Sequence, residues 1–366
     1  MTNLILDSLA IRGFRAFRQL QIERLGRVNL IVGKNNVGKS CLLEALWLYA
    51  RRGSPSLIAQ LLEARDEISR LRLRSSEQEE DQTWNIKHLF HGRQDITAQT
   101  EPIQIGPFDS QDETLSIAAG FYVQVEEDEI RRLQPIQAEE FSTVENPILG
   151  LAIQLGAQPK TTYRLDRYLS RRYSLPSEPA GLRSVFVPAN GLSDTRIAEL
   201  WDGITLSDLE KDVLDSLRVI APEVERVNLV GSQERERIAK VRITGQIEPI
   251  PLRSLGEGMN RMFGVALSLV NAKDGILLID EVESGLHYSV QPELWRFIFL
   301  EARRLNVQVF ATTHSWDCIE GFQQATQTEK ADRLLIRLGR KKGDVIATLF
   351  DEQELAVVTR EQIEVR

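Results

Sequence analysis

Cysteine is nearly missing from this chain, with 2 in 366 residues, Cys41 and Cys318. Neither has a second cysteine or a paired histidine at ligand spacing, which excludes a disulfide framework and a thiolate metal site. Histidine is almost as scarce, at 4 residues. The pair His88 and His91 therefore stands without the further ligands that a metal centre needs. No stretch reaches the roughly 18 apolar residues required to cross a bilayer. The start, MTNLILDSLAIRGFRAF, lacks a basic segment followed by an apolar run, so a reducing, cytoplasmic location without membrane contact is expected. A basic excess is also lacking. The net charge of -8 excludes a protein that coats nucleic acid with its whole surface and leaves only a local basic patch. Sustained heptads are missing from the middle of the chain, where Pro102, Pro107, Pro135, Pro147 and Pro159 rule out a coiled-coil arm.

What is present is a phosphate-binding loop. Gly33-Lys34-Asn35-Asn36-Val37-Gly38-Lys39-Ser40 fits G-x-x-x-x-G-K-[ST] without mismatch, and Cys41 follows it. The apolar run 28–32 ahead of it reads as a buried strand, and 40–52 behind it as a helix ending at Gly53-Ser54-Pro55. In that setting the glycines let successive N–H groups point at phosphates. Lys39 reaches the β and γ phosphates of ATP, and the Ser40 hydroxyl serves Mg²⁺.

Along the chain, residues 4–11 and 17–22 read as strands flanking Gly13. Residues 57–74 carry Leu57, Ile58, Leu61, Leu62, Ile68 and Leu71 on one stripe and predict a core-facing amphipathic helix. The acidic run 75–81 predicts a solvated loop. Stretches 103–108, 115–125, 148–155 and 161–169 predict an antiparallel β-rich insertion. Strand 184–188 and helices 193–201 and 207–220 follow, the second helix with a Ser207/Glu210 capping-box pattern. Strands are expected at 224–230, 238–243 and 248–252, then a helix over 258–271. From 276 to 338 strands and helices alternate as β-α-β-α-β, which implies a mostly parallel sheet shared with the N-terminal loop.

Three further elements carry chemistry. The strand 276–279 ends in Asp280-Glu281 at its carboxyl tip, where open α/β sheets place ligands. Asp280 is placed to bind Mg²⁺ and Glu281 to orient an attacking water. Thr312-Thr313-His314-Ser315 follows the next strand and brings His314 to the same sheet edge. The segment Ser254-Leu255-Gly256-Glu257-Gly258 opens a helix and offers a second phosphate site, with free N–H groups at the positive end of the helix dipole. Two such sites in one chain predict ATP sandwiched between two copies.

These motifs, with IRGFRAF at 11–17, SLGEGMNR at 254–261, LLIDEVESGLH at 277–287 and ATTHS at 311–315, make the chain resemble ATP-binding-cassette (ABC) ATPases. The group is that of structural-maintenance-of-chromosomes heads and recombination ATPases, and the chain is most similar to the ATPase module of the overcoming-lysogenization-defect (OLD) family. The resemblance implies an α/β P-loop NTPase of ABC type, with a mostly parallel sheet, an antiparallel β subdomain and a mixed insertion. It covers 1–55 as one lobe and 183–366 as the other, and leaves 56–182 as the insertion. It implies that Glu281 is the catalytic carboxylate and His314 the switch histidine, with Asp280 and Ser40 on the metal. It places Ser254, Gly256 and Glu257 of one copy over the nucleotide of another. Leu255 stands where transporter-type signatures have glycine. Asn190 substitutes by position for the glutamine that usually follows the insertion, with Gln94 the weaker choice. A homodimer acting slowly on ATP with Mg²⁺ is implied, together with a separately encoded nuclease or effector, as in phage defence, because 366 residues leave no room for a nuclease domain. The alternative is a DNA repair ATPase whose closed dimer clamps DNA. The cluster Arg164, Arg167, Arg171 and Arg172 with Tyr163, Tyr168 and Tyr173 would suit that role, although a salt-bridged face fits it better.

Overall fold

The computed structural model describes residues 4–72, 80–97, 99–110, 112–127, 130–136, 144, 147–165, 180–219, 221–231, 237–326 and 332–361. Its centre is a six-stranded sheet built from β11 (Ser184–Val187), β15 (Ile276–Ile279), β16 (Gln308–Thr312), β3 (Val28–Val32), β17 (Arg333–Lys341) and β18 (Asp344–Phe350), in that spatial order. All neighbours are parallel except the hairpin of β17 and β18. The expected βαβ run and the N-terminal strand thus share one sheet.

Strand pleating sends alternate side chains to opposite faces, and two cores result. Leu30, Leu277, Ile279, Val309 and Ala311 belong to one. Ile31, Ile276, Leu278 and Phe310 belong to the other. Helices that close the first core include α5 (Glu257–Asn271), α6 (Gln291–Arg304) and α7 (Trp316–Thr326). There Trp295 meets Phe322 edge-on at 4.8 Å. The second core is closed by α1 (Lys39–Ala50) and α2 (Pro55–Glu63) together with an antiparallel sheet.

That second sheet runs β10 (Thr161–Arg164), β9 (Ile148–Leu155), β7 (Leu115–Glu127), β6 (Ile103–Gly106), β1 (Leu9–Phe14) and β2 (Phe17–Ile22), with β8 (Ile130–Pro135) also on β7. The two N-terminal strands are therefore continuous with strands of the insertion, because β1 pairs with β6. The insertion leaves and returns at one place. The Leu182 N–H donates to the Ala50 carbonyl at 2.8 Å, and Gly181 lies so close that a Cβ would stand 2.6 Å from that oxygen. A smaller sheet of β12 (Val224–Val230), β13 (Ile238–Ile243) and β14 (Ile250–Pro251) follows α3 (Asp194–Asp202) and α4 (Leu209–Arg218).

Several expectations need correction. The single helix expected over 57–74 is α2 followed by β4 (Ile68–Arg72), which pairs with β5 (Glu80–Trp84). Asp66 at φ 55 turns the chain left-handed, and the Glu67 N–H closes on the Leu62 carbonyl at 2.9 Å. Arg65 then reaches back to Glu44 at 2.7 Å and Glu67 to Arg15 at 2.9 Å, so ion pairs to neighbouring elements end the helix. Glu80 and Asp81, expected in a loop, belong to β5, and 73–79 lie outside the described residues. The capping box at Ser207 does not form. Its hydroxyl donates to the Ile204 carbonyl, and Glu210 accepts from the Leu206 N–H at 3.2 Å. The C-terminal segment, beyond the last element expected from the sequence, holds α8 (Glu352–Arg360), begun by a capping box between Asp351 and Glu354. The strand expected at 248–252 shrinks to Ile250–Pro251.

Candidate active site

The strand, loop and helix of residues 28–50 build the first wall. β3 is buried along its whole length, and the loop then turns through Gly33 at φ 146, Asn36 at φ 61 and Gly38 at φ 114. At Gly33 the glycine is required twice over. Its φ is one that L residues rarely adopt, and a Cβ would meet the Leu338 carbonyl oxygen at 2.5 Å. Lys34, Asn35 and Asn36 are exposed and Val37 is buried, so the loop is anchored by one apolar side chain and open elsewhere. Lys39 donates from Nζ to the Gly33 carbonyl at 2.7 Å, which folds its ammonium back over the loop. Burial lowers the Lys39 pKa, while Asp280, Glu281 and Glu283 pull it back up.

Parallel pairing of β15, β16 and β3 brings the carboxyl ends of all three strands to this loop. Asp280 is held from both sides. Ser40 Oγ donates to its Oδ2 at 2.9 Å, and Thr312 Oγ1 donates to its Oδ1 at 2.5 Å. The same Thr312 oxygen accepts the Glu281 N–H at 2.8 Å. Glu281 sits at φ 48, a strained conformation for a residue with a side chain, and such strain collects at functional turns. Its carboxylate lies 3.6 Å from His314 Nδ1. Glu283 approaches the same nitrogen at 3.3 Å and accepts the His314 main-chain N–H at 3.1 Å. The half-exposed imidazole is thus held between two carboxylates.

Hydroxyl and carboxylate oxygens at Ser40 and Asp280 are the hard donors Mg²⁺ prefers, and it commonly completes its shell with water and phosphate oxygens. The arrangement fits that ion. Among the described residues, no group of three or more His, Cys, Asp or Glu is placed to hold a metal by itself. His91 instead contacts the Arg15 carbonyl through Nδ1 at 3.0 Å.

The signature segment lies on the outside. Ser254, Gly256 and Glu257 are exposed at the start of α5, and nothing lies within 4 Å of where a Gly256 Cβ would be. Asn190 is exposed in the turn after β11. It lines a cavity of about 280 Å³ with Glu257, Asn260, Arg261 and Ser284, and neither Ser40 nor Asp280 contributes to that lining. Gln94 is exposed after a short 3₁₀ turn. Cys41 touches Arg65 through sulfur at 3.7 Å, and burial pushes its thiol pKa up, so its side chain is turned into the protein. Of the basic cluster, Arg164 donates to Gln124 at 2.6 Å, while 166–179 lie outside the described residues.

Sequence reasoning missed three contributors: Thr312, Glu283 as the partner of His314, and Arg261. Arg261 is buried, and its guanidinium donates to the carbonyls of Pro188, Asp280 and Glu281. An arginine at a core position of an otherwise apolar helix face was the available signal, because a buried charge demands partners.

Residues 28–317 match the family described as "AAA domain, putative AbiEii toxin, Type IV TA system", and the chain belongs to that family. A Helicobacter pylori protein named ATP/GTP phosphatase is 22% identical over 358 residues, covering 87% of this chain and 88% of its own. An uncharacterised protein of Methanocaldococcus jannaschii is 47% identical over 45 residues, 12% of this chain and 20% of its own. Among solved structures, an Smc head bound to the C-winged helix domain of ScpA aligns over 95% of this chain and 98% of its own, at TM-score 0.51 and 12% identity. The likeness is one of fold, and the architecture is that of an ABC-type, Smc-head-like P-loop ATPase. No described helix is long and apolar enough to cross a membrane.

Proposed function

We propose, from the premise that this chain is an ATPase of that family, that two copies close head to tail around two ATP molecules, hydrolyse them slowly and thereby switch a separately encoded partner. The observation that carries the reading is the chain of contacts from Ser40 through Asp280 to Thr312 and the Glu281 N–H. It supports a role for Ser40 and Asp280 on the metal and for Glu281 as the base, joined through one peptide unit.

In this reading residues 33–41 cradle the nucleotide. Lys39 neutralises the β and γ phosphates, and Glu281, oriented by Thr312 and His314, aligns water with the γ phosphate. Ser40 and Asp280 would hold Mg²⁺, which supplies charge neutralisation at the phosphates. Ser254, Gly256 and Glu257 are left for the phosphates of the second copy, since they are exposed at a helix start, although the Gly256 N–H donates to the Arg253 carbonyl at 3.1 Å and would have to be released. The name of the Helicobacter relative supports nucleotide hydrolysis. The family description, with its toxin of a type IV TA system, supports a two-component arrangement, and the partner fits a nuclease or other effector in phage defence. Closeness to the OLD ATPase module belongs to the same proposal.

The test is size-exclusion chromatography of Glu281→Gln with ATP and Mg²⁺. A dimer that persists under ATP, and returns to monomer when Ser254→Arg is added, is expected. A monomer at saturating ATP refutes the sandwich.

A further inference from the structure

Arg261 lies one helical turn beyond the start of α5 and is 5% exposed. Its Nη1 donates to the Pro188 carbonyl at 2.8 Å. Its Nη2 donates to the carbonyls of Asp280 at 2.7 Å and Glu281 at 2.8 Å. One guanidinium thus grips the ends of two neighbouring parallel strands, β11 and β15, and both carbonyls at the strained Glu281 turn. Only arginine offers so many donors in a fixed plane.

The same helix start also packs closely on the same loop. A Cβ on Gly258 would lie 3.2 Å from the Gly285 carbonyl oxygen, and one on Gly285 would lie 3.4 Å from Glu257 Cβ. The segment that displays Ser254 to Glu257 outward is therefore tied inward to residues 280–285 of its own chain. Beside it lies the cavity of about 280 Å³ lined by Asn190 and Asn260, so the first turn of α5 has space to shift.

We propose that Arg261 is a positioning residue that couples the two nucleotide sites of the dimer. When the signature loop of one copy closes on the nucleotide of the other, α5 moves, and Arg261 carries that movement to the carbonyls of Asp280 and Glu281. Glu281 then takes up its working position over the nucleotide of its own copy. Hydrolysis at either site thereby waits for occupancy of both. The inference rests on the sandwich reading above and adds to it a route between the sites.

The experiment compares wild type, Arg261→Lys and Arg261→Met in steady-state ATP turnover across ATP concentration. ATP affinity is measured on the Glu281→Gln background and melting temperature alongside. Wild-type turnover is expected to rise with a Hill coefficient above one, bounded by the number of sites. Both variants are expected to bind ATP within about two-fold of wild type, to lose roughly ten-fold or more in kcat, as misplaced catalytic groups do, and to fall to a Hill coefficient of one. Lysine should lose less than methionine. Loss of kcat with the wild-type Hill coefficient retained overturns the proposal, as does an Arg261→Lys enzyme equal to wild type. Loss that tracks weaker ATP binding and a lower melting temperature also overturns it and leaves Arg261 a structural staple. Failure of the sandwich shows separately, as a Glu281→Gln protein that stays monomeric with ATP, and takes the coupling with it.

Discussion

Replacing Thr312 by valine removes one hydroxyl from a position with no exposure at all and keeps the branched shape. That hydroxyl donates to Asp280 at 2.5 Å and accepts the Glu281 N–H at 2.8 Å. A hydrogen bond to a charged group contributes about 1.5–3 kcal/mol, and a buried amide left unpaired costs about 1–3 kcal/mol. The lower ends together give about 2.5 kcal/mol. With about 2.1 cal/mol/K of unfolding entropy per residue, 366 residues melting together carry about 0.8 kcal/mol/K, so the melting midpoint should fall by about 3 °C. Turnover should fall further, because the Glu281 turn loses a tether and displacement of a catalytic group by an ångström costs about a hundred-fold. Thermal melting and phosphate release would be measured beside Thr312→Ser, which keeps the hydroxyl and gives up only a methyl. Serine should restore most of the turnover. A valine variant with wild-type turnover, or a serine variant as slow as valine, refutes the role given to this hydroxyl.

Gly33→Ala forces a side chain onto φ 146 and into the Leu338 carbonyl. It should weaken ATP binding by at least roughly a hundred-fold, the scale at which ångström shifts act on a site, and a fluorescent ATP analogue would read the loss. Lys39→Ala should weaken the same binding comparably while lowering the melting temperature by only about 1–2 °C, since the half-buried ammonium gives up one short hydrogen bond, to the Gly33 carbonyl, and no apolar core contact. Among the described residues its ammonium donates to loop carbonyls, those of Gly33 and Lys34.

The parts of the site that lie within a few residues of one another were legible in the sequence. Residues 28–50 announce a strand, a glycine loop and a helix, and the apolar run 276–279 ends in two acids. What was not legible depends on pairing across the chain. Thr312 reads as one of two threonines after a strand, and only the parallel register of β16 with β15 puts its hydroxyl against Asp280. Arg261 reads as part of a signature, while its three acceptors come from residues 188, 280 and 281. Residues 57–74 kept a helical stripe past Glu63, and nothing local showed that Arg65 and Glu67 would pair with Glu44 and Arg15. Likewise, the edge of β1 is filled by β6, which no pattern within 4–22 could disclose. For Asn190, position counting gave the place after the strand and not the surroundings. The residue follows its strand as expected, yet it lines a cavity beside α5.

The meeting of Ala50 and Leu182 at a single 2.8 Å hydrogen bond has an evolutionary consequence. A chain that departs and comes back through one doorway can change the length of its outer loops without moving the doorway itself. The entropy of closing such a loop grows only with the logarithm of its length, by about 0.6 kcal/mol for each doubling. Descendants of this architecture are thus free to lengthen or trim the outer part of the excursion, provided that α2 and β6, which close the second core and the flank of β1, are kept. Variation among relatives should therefore concentrate between residues 51 and 181, while the nucleotide-facing edge of the parallel sheet stays fixed.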